Sequence, residues 1–437
     1  MLPPVGKTLY IRSWGCQMNA YDARRMAGVL APLGYTQVPE PEGADLIILN
    51  TCHIREKAED KVFSELGRLR PLKDKRPGTL IAVGGCVAQA EGALIQGRAP
   101  FVDIVFGPQT WHRLPEMVAK ALKERVINTD FPAEVKFDFL PEEHAPPGPS
   151  AFLPVQEGCD RFCTFCVVPY TRGAEYTRPA ESIMGEARRL VDAGALEIVL
   201  LGQNVNAYPG LAGLIEKLSD IRGLERIRYT TSHPLSMTAD LIAAHRACPK
   251  LMPFLHLPIQ SGSDRILKSM NRKHTSARYQ RIVENLRAAR PDIALSSDFI
   301  VGFPGETDED FNDTIRLVSE ITFASAYSFA YSPRPGTPAA AMPGQVPPGV
   351  KAARLAQLQA LLNDQQEHYN RTFIGKVVPV LFEKKGKKHG QLLGRSPHGQ
   401  AVHALATDGL IGTIAPVRIT RALPNSLAAE PAPPKTC

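Results

Sequence analysis

The strongest constraint on the fold is a short apolar run followed by a cysteine, which occurs three times in the first hundred residues. The runs and their cysteines are residues 9–11 with Cys16, residues 46–49 with Cys52, and residues 80–83 with Cys86. Segments with helical periodicity, at 22–33 and 55–69, separate the runs, and another strand-like run follows at 102–106. This alternation predicts an α/β fold with a mainly parallel sheet, because parallel neighbours need a crossover connection.

The three cysteines share one position relative to the predicted strands. Ligands of open α/β sheets gather beyond the carboxyl ends of the strands, so we expect Cys16, Cys52 and Cys86 to converge there. One such cysteine is readily explained as a small core residue, but three in successive units indicate a joint role. Three thiolates leave a cubane with one open iron, and we predict a 4Fe-4S cluster on this trio. His53 is either a partner of this cluster or a solvated residue at a helix start.

A second series of strands and helices fills the middle of the chain. Its strand-like runs are residues 152–156, 197–201, 226–230, 254–258, 294–300 and 326–331. Helix-like segments such as 183–193 and 277–289 lie between them. Six such units predict a partial (β/α)6 barrel, whose chemistry is expected at the carboxyl ends of the strands.

A C-x3-C-x2-C loop follows the first of these strands. Its thiols, Cys159, Cys163 and Cys166, lie within eight residues and can converge on one cluster. A cubane bound by three thiolates keeps one iron without a protein ligand, and we predict a second 4Fe-4S cluster with this iron as its reactive position. Zinc is the alternative, but structural zinc needs a complete tetrahedral set and the next histidine is His233. Three buried structural thiols are a further alternative.

The loop and its continuation at 167–173 resemble radical S-adenosylmethionine (SAM) enzymes of the methylthiotransferase family. Residues 50–59 and 85–89 resemble the N-terminal domain of that family. The resemblance implies that the open iron of the second cluster binds SAM and that electron transfer cleaves SAM to a 5′-deoxyadenosyl radical. Such a radical removes a hydrogen atom from an unactivated C–H bond. The N-terminal cluster, by the same resemblance, takes part in supplying or holding the sulfur to be inserted.

Polar side chains at other strand ends are candidates for binding SAM, whose ribose, adenine and sulfonium need fixed donors and acceptors. These candidates are Gln203, Asn204, Asn206, Ser232, Gln260 and Asp298. Ordinary turns are the alternative for any one of these stretches. Arg172 has two interpretations, a partner for the carboxylate of SAM or a substrate phosphate, and a surface ion pair.

The last hundred residues predict a helix and a small β module. A Pro-rich stretch at 333–348 precedes a helical pattern at 350–369, and alternating runs at 377–382 and 411–419 predict short strands of a small barrel. The family resemblance implies a TRAM domain here, an OB-like antiparallel barrel that binds RNA. The segment 395–398 departs from the family pattern and leaves the strand register open there. Four lysines on one turn are either a solvated hairpin tip or a phosphate-binding patch: Lys384, Lys385, Lys387 and Lys388.

These features predict three domains with a linker and a tail. The bounds are 5–130 for the N-terminal methylthiotransferase domain, 131–149 for the linker, 150–371 for the radical SAM core, 372–425 for the TRAM domain and 426–437 for the tail. With 44% hydrophobic and 22% charged residues, the composition is globular rather than disordered. No apolar run reaches the ~18 residues that span a bilayer, and no signal core begins the chain. We therefore expect a cytoplasmic protein without membrane contact.

The motifs at 201–208, 229–234 and 331–337 most resemble the branch of the family that methylthiolates C2 of N(6)-isopentenyladenosine next to the tRNA anticodon. Our hypothesis is that one SAM methylates a sulfur at the N-terminal cluster and that a second SAM supplies the radical. We expect a monomer that binds the anticodon loop and uses an external electron donor and sulfur source. The alternatives are threonylcarbamoyl adenosine in tRNA or a ribosomal-protein aspartate as substrate, and a non-catalytic iron-sulfur protein that binds RNA.

Overall fold

The computed structural model describes residues 6–53, 58–139 and 148–432. The chain divides into two compact units. The N-terminal unit comprises Met1–Ala145, Gly158–Asp160 and Val167–Ala174, and the C-terminal unit comprises Pro146–Glu157, Arg161–Cys166 and Glu175–Cys437. Among the described helices, none is both long enough and apolar enough to cross a membrane.

The N-terminal unit is built on a six-stranded, all-parallel sheet in the order β2-β1-β3-β4-β5-β6. Its elements are β1 (Lys7–Ser13), α1 (Gln17–Leu30), β2 (Tyr35–Gln37), β3 (Leu46–Thr51), α2 (Ala58–Lys75), β4 (Leu80–Gly85), α3 (Cys86–Arg98), β5 (Ile104–Phe106), α4 (Leu114–Ala121), β6 (Val126–Asn128) and α5 (Val168–Arg172). Apolar side chains cover both faces of the sheet in two separate clusters. The pairing confirms the parallel sheet that the alternation predicted. Burial of its central strands on both faces explains their continuous apolar runs.

Helix α1 begins earlier than its apolar pattern predicted, at Gln17 instead of residue 22. Cys16 is the residue that precedes its first turn, with an extended backbone. The first part of the predicted helix 55–69 lies outside the described residues, and α2 continues to Lys75 beyond its predicted end.

The C-terminal unit contains six parallel strands in two groups of three, β11-β10-β7 and β12-β13-β14. Its elements before the last module are β7 (Ser150–Pro154), β8 (Gln156–Glu157), β9 (Tyr176–Thr177), α6 (Ala180–Asp192), β10 (Glu197–Leu201), α7 (Leu211–Ser219), β11 (Arg226–Tyr229), α8 (Ala239–Ala247), β12 (Phe254–His256), α9 (Asp264–Ser269), α10 (Ser276–Ala289), β13 (Ala294–Val301), α11 (Asp308–Ile321), β14 (Ser325–Ala330) and α12 (Pro348–Arg371). An isolated parallel bridge links Ile227 of β11 to Leu251, three residues before β12 begins. The helices and one face of the strands share a single apolar core, which confirms the predicted partial barrel.

The last module is a closed five-stranded barrel in the order β15-β16-β17-β19-β18. Its strands are β15 (Val377–Lys385), β16 (Gln391–Arg395), β17 (Ala401–Leu405), β18 (Ile414–Leu423) and β19 (Ser426–Pro431). The pairs are antiparallel except β17 with β19, which is parallel. Five strands cannot alternate in direction around a closed ring, so one parallel pair is unavoidable. Strand β19 lies in the predicted tail 426–437, so the module extends past residue 425.

Candidate active site

The three N-terminal cysteines follow three adjacent strands. Cys16 follows β1, Cys52 follows β3, and Cys86 follows β4 as the first residue of α3. A Cβ atom on Gly15 would overlap the Cβ atom of Cys52, and the backbone of Gly15 is left-handed with φ 117°. Only glycine therefore lets the loops that carry Cys16 and Cys52 approach so closely.

Hydrogen bonds hold the thiol of Cys16 in place. It interacts with the side chain of Cys52, and its Sγ atom lies 3.2 Å from Oδ1 of Asn19. The hydrogen bond with Cys52 lowers the pKa of the Cys16 thiol to about 6, against the effect of burial and with help from the charge of Arg172. Iron binds the thiolate form, so this environment favours the ligating species near neutral pH.

A buried arginine lies beside the third thiol. The side chains of Arg172 and Thr171 on α5 hydrogen-bond to Cys86, where burial raises the thiol pKa and the charge of Arg172 opposes the rise. The Nη2 atom of Arg172 lies 2.8 Å from Oδ2 of Asp22, and both side chains are buried. The interpretation of Arg172 as a surface ion pair is therefore wrong, because its carboxylate partner lies inside the N-terminal unit. The side chain of His53 is also buried, not solvated.

Cys159 belongs to the N-terminal unit. Its backbone N–H donates to the carbonyl of Gly173 at 3.3 Å, one residue beyond the end of α5. A Cβ atom on Gly158 would overlap the carbonyl oxygen of Ala174, and the φ of Gly158 is 75°. The chain just before Cys159 is thus fixed against the segment that carries Arg172.

Cys163 and Cys166 belong to the C-terminal unit, where residues 269–272 hold their loop. The backbone N–H of Thr164 donates to Met270 at 3.2 Å, and its hydroxyl donates to Ser269 at 2.9 Å. The carbonyl of Phe162, which has a left-handed φ of 48°, accepts a hydrogen bond from Asn271. A non-glycine residue in this region costs roughly 1–3 kcal/mol, so the surrounding contacts must impose the conformation.

A second buried arginine points at one of these thiols. The Nη1 atom of Arg272 lies 3.5 Å from Sγ of Cys163, and its Nη2 atom donates to the carbonyl of Pro258 at 2.6 Å. The motif-based interpretation missed Arg272, because it lies more than one hundred residues from the cysteine loop in the sequence.

Two histidines near Arg272 have lowered pKa values. Burial and the charge of Arg272 lower the pKa of His274 to about 4 and also lower that of His233. These two imidazoles are therefore neutral at pH 7.

Two of the predicted SAM-binding side chains are buried with unsatisfied polar atoms. Both amide atoms of Asn204 and the hydroxyl of Ser232 have no hydrogen-bond partner among the described residues. Buried polar groups are normally satisfied, so these atoms fit a site for a polar ligand such as SAM. In contrast, Asn206 is occupied by the backbone of His233, to which it donates at 2.9 Å and from which it accepts at 2.8 Å.

The remaining candidates have mainly local partners. The backbone N–H groups of Gln203 and Asn204 both donate to Oε1 of Gln156 at 3.0 Å, which fixes the end of β10. Gln260 has a left-handed φ of 84°, and its backbone pairs with β13. The Oδ2 atom of Asp298 lies 3.4 Å from Nε2 of His256. Gln156 was not predicted, although its position two residues beyond the end of β7 is the same signal that found the others.

No three His, Cys, Asp or Glu side chains in the described ranges are arranged around a single metal ion. A cubane binds each thiolate through a different iron, so three thiols that serve one cluster need not all lie within bonding distance of a single ion. The thiolate character of Cys16 and the arginines beside Cys86 and Cys163 fit anionic iron-sulfur groups. The unsatisfied atoms of Asn204 and Ser232 fit SAM.

Three family models match successive parts of the chain. They are the uncharacterized protein family UPF0004 at residues 8–107, the radical SAM superfamily at 153–318 and the TRAM domain at 371–432.

Among solved structures, the radical SAM methyltransferase TsrM from Kitasatospora setae, with cobalamin and a 4Fe-4S cluster bound, aligns over 77% of each chain. Its TM-score is 0.57 at 14% identity. The cobalamin-dependent radical SAM enzyme OxsB aligns over 82% of this chain and 56% of its own, with a TM-score of 0.54 at 14% identity. At these identities the likeness shows the fold.

Curated relatives are similar over nearly the whole length. Proteins from two strains of Cereibacter sphaeroides, each named tRNA-2-methylthio-N(6)-dimethylallyladenosine synthase, are 58% identical over 429 residues. The alignments cover 97% of this chain and 98% of each relative. With this identity and the three matching domains, the chain belongs to the radical SAM family of tRNA-2-methylthio-N(6)-dimethylallyladenosine synthases.

Proposed function

We propose that this enzyme replaces the C2 hydrogen of N(6)-isopentenyladenosine in tRNA with a methylthio group, using SAM and 4Fe-4S chemistry. The observation that carries the proposal is the full-length similarity to the named synthases at 58% identity. A radical SAM domain and a TRAM domain in the same chain support it, because the reaction needs both C–H activation and RNA binding.

The cysteine loop and the strand ends of the partial barrel account for the radical step of the reaction. Cys159, Cys163 and Cys166 would bind a 4Fe-4S cluster, which together with SAM supplies a radical able to remove the hydrogen atom. The guanidinium of Arg272 donates to Cys163 and so stabilises negative charge on the cluster sulfur. Asn204 and Ser232 offer unsatisfied hydrogen-bonding atoms to the polar groups of SAM.

The N-terminal trio supplies the sulfur half. Cys16, Cys52 and Cys86 would bind a second 4Fe-4S cluster that holds the sulfur to be transferred. Arg172 places a buried positive charge beside Cys86, and Asp22 fixes the orientation of that charge. A cation at this point favours an anionic sulfur species over a neutral one. In this proposal Arg172 therefore serves the sulfur site.

Binding of RNA is assigned to the C-terminal barrel and the strand ends. All four lysines are exposed: Lys384 and Lys385 end β15, and Lys387 and Lys388 lie in the turn to β16. Lys385 also pairs with Asp408. Exposed lysines fit phosphate contacts, while an unstacked base would enter the partial barrel. We assign the reaction to a monomer in the cytoplasm, with an external electron donor and sulfur source. Support for a reducing compartment comes from the six cysteines of the two trios, because their positions fit metal ligation better than a disulfide framework.

Iron and acid-labile sulfide counts test the two cluster sites. We expect each three-Cys-to-Ala variant, of Cys16/Cys52/Cys86 or of Cys159/Cys163/Cys166, to keep about half of the wild-type iron. The matched control is Cys248→Ala, which removes a buried cysteine outside both trios and should keep all of it. Full iron in either triple variant would contradict a separate cluster on that trio.

Nucleoside analysis tests the substrate. In tRNA from a strain that lacks the gene, we expect methylthio-isopentenyladenosine to disappear and isopentenyladenosine to accumulate. Restoration by the wild-type gene, but not by either triple variant, completes the test. Unchanged methylthio-isopentenyladenosine would disprove the proposal. Loss of a methylthio group from threonylcarbamoyl adenosine or from a ribosomal-protein aspartate would show that this other group is the substrate.

A further inference from the structure

Two aromatic side chains on the last strand of the partial barrel are strongly exposed. Tyr327 is 60% exposed and Phe329 is 43% exposed. They lie two residues apart on β14, so both rings project from the same face of the strand. In the register with β13, Tyr327 lies opposite Asp298 and Phe329 lies opposite Ile300.

This face is the one that points away from the surrounding helices. The intervening residues of β13, Phe299 and Val301, are buried in the core that the strands share with the helices. Because side chains alternate along a strand, Tyr327, Phe329 and Asp298 project to the opposite, inner face of the barrel. Within the described ranges β14 pairs only with β13, so the aromatic side chains lie next to an open edge of the barrel.

Fixed polar groups adjoin the aromatic pair. The ring of His256 meets the ring of Tyr327 edge-on, with 6.2 Å between the centroids. Its Nε2 atom lies 3.4 Å from the carboxylate of Asp298, and its Nδ1 atom lies 3.1 Å from the hydroxyl of Ser296. The exposed surface therefore combines two aromatic rings with one oriented, partly exposed carboxylate.

Space for a ligand adjoins these rings. A pocket of about 360 Å³ lies at the open edge of β14, where Tyr327 and Phe329 line it together with Ala326 and Ser328 of the opposite face and with Gln359, Leu362 and Asn363 of α12. Unstacked RNA bases are commonly held on aromatic side chains, and exposed apolar patches of this kind mark binding sites.

We propose that Tyr327, Phe329 and Asp298 form the face that recognises the N6-prenylated adenine. The aromatic rings contact the purine and its uncharged isopentenyl group, and the carboxylate of Asp298 repels an N6 substituent that carries its own carboxylate, such as threonylcarbamoyl. Specificity arises here from one attractive and one repulsive element. This inference rests on the proposed function and names the residues that select its substrate.

Binding of RNA hairpins to the reconstituted full-length protein tests the proposal. Three fluorescently labelled anticodon stem-loops carry adenosine, isopentenyladenosine or threonylcarbamoyl adenosine at the target position, and anisotropy gives each Kd. We expect wild type to bind the prenylated hairpin on the order of tenfold more tightly than the unmodified one, because the prenyl carbons leave water. The threonylcarbamoyl hairpin should bind no better than the unmodified one.

The double variant Tyr327→Ala/Phe329→Ala should lose this preference, and Asp298→Asn should bind the threonylcarbamoyl hairpin severalfold more tightly than wild type does. Phe139→Ala, a comparably exposed aromatic residue at 51% in the N-terminal unit, is the matched control and should keep the preference. Iron content and circular dichroism establish that each variant is folded, and Tyr327→Phe with Phe329→Tyr keeps both rings and should retain the preference.

A double variant that is folded and keeps the full preference for the prenylated hairpin would overturn the aromatic assignment. Unchanged binding of the threonylcarbamoyl hairpin by Asp298→Asn would overturn the role of the carboxylate. Failure of the proposed function gives a different result: wild type with SAM and reductant would then leave the prenylated hairpin without a methylthio group, whatever the variants bind.

Discussion

At the scale of single residues, the thiol of Cys16 is the group whose chemistry depends most directly on a neighbour. Its hydrogen bond with Cys52 lowers its pKa from the ordinary value of 9.0 to about 6. Because the thiolate is the nucleophile, we expect alkylation of Cys16 by iodoacetamide in the cluster-free protein to rise with pH around 6. Mass spectrometry of the labelled peptides measures this. Cys86, whose pKa is raised by burial, should label only at a more alkaline pH.

The control removes the hydrogen-bond partner. Cys52→Ser replaces the thiol by a hydroxyl, and Cys52→Ala removes the hydrogen-bond partner. The pH midpoint for alkylation of Cys16 should therefore move toward 9.0 in both variants, and further in the alanine variant. A midpoint near 6 that survives Cys52→Ala would show that Arg172 or another group dominates.

Arg272 is the residue whose charge bears on the SAM-binding cluster. Its guanidinium contacts Sγ of Cys163, and reduction adds negative charge to the cluster. Arg272→Met should therefore lower the reduction potential, by on the order of 50 mV, because cluster potentials depend on charge and on hydrogen bonds to sulfur. A redox titration of the reconstituted protein followed by electron paramagnetic resonance measures the shift. Arg272→Lys keeps the charge and should shift less, and equal potentials in all three proteins would refute the role.

At the scale of secondary-structure elements, the β16–β17 turn anchors the small barrel on the central domain. Arg228 of β11 donates to the carbonyls of Ser396 and Pro397, at 2.7 and 2.9 Å, and also pairs with buried Glu197 at 2.7 Å. Arg226 donates to Arg395 and Pro379 of the barrel. Two buried arginines of β11 thus bind backbone carbonyls of the module that follows.

Removal of the Arg228 guanidinium should destabilise this contact strongly. Arg228→Met leaves the carboxylate of Glu197 buried without its partner, and such losses cost about 3–5 kcal/mol of unfolding free energy. Urea unfolding of the cluster-free protein measures the difference. The double variant Arg228→Met/Glu197→Gln should recover part of the stability, because no buried charge is then left unpaired. Equal stability of the two variants would contradict this reason.

The same pair predicts a pH dependence. Burial raises the pKa of Glu197, but the charge and hydrogen bonds of Arg228 outweigh it, so the net pKa lies below the ordinary 4.5. A carboxyl group whose pKa is lowered by folding contributes stability above its unfolded pKa, and this stability is lost as pH falls through the folded value. Wild type should therefore lose this contribution in urea titrations below about pH 4.5, and Glu197→Gln should lack that component.

At the scale of the whole molecule, a net charge of +7 and the lysine turn bear on RNA affinity. We expect Lys384→Ala/Lys387→Ala/Lys388→Ala to weaken binding of prenylated and unmodified hairpins alike. The slope of log affinity against log salt should fall by about 0.7 for each lost phosphate contact to a single-stranded loop. Anisotropy at several salt concentrations measures this. The control Lys123→Ala changes a lysine in the N-terminal unit and should keep the wild-type slope. If the triple variant keeps that slope as well, its three lysines are excluded as phosphate contacts.

Much of the architecture follows from local patterns. Strand β10 matches its predicted range 197–201 in full, and β13 extends its prediction by one residue. Both predictions used only the pattern of residues that are neighbours in sequence. The first turn of helix α1 and the whole of strand β19 were missed. The first turn of α1 lacks an apolar stripe because its buried residues include Asn19, which donates to the carbonyl of Thr51. Strand β19 was hidden in a small-residue stretch whose strand character comes from pairing with β17 and β18.

By itself the sequence determined the alternation of strands and helices, the placement of two thiol trios after strands, and the family. These depend on periodicity and spacing, which are local properties of the chain. Only the tertiary structure decided that Arg172 lies buried between Asp22 and Cys86, that Arg272 reaches Cys163, and that Asn204 is unsatisfied while Asn206 is not. Such contacts join residues tens to hundreds of positions apart, so they depend on which strand ends meet in space, and no local pattern records that.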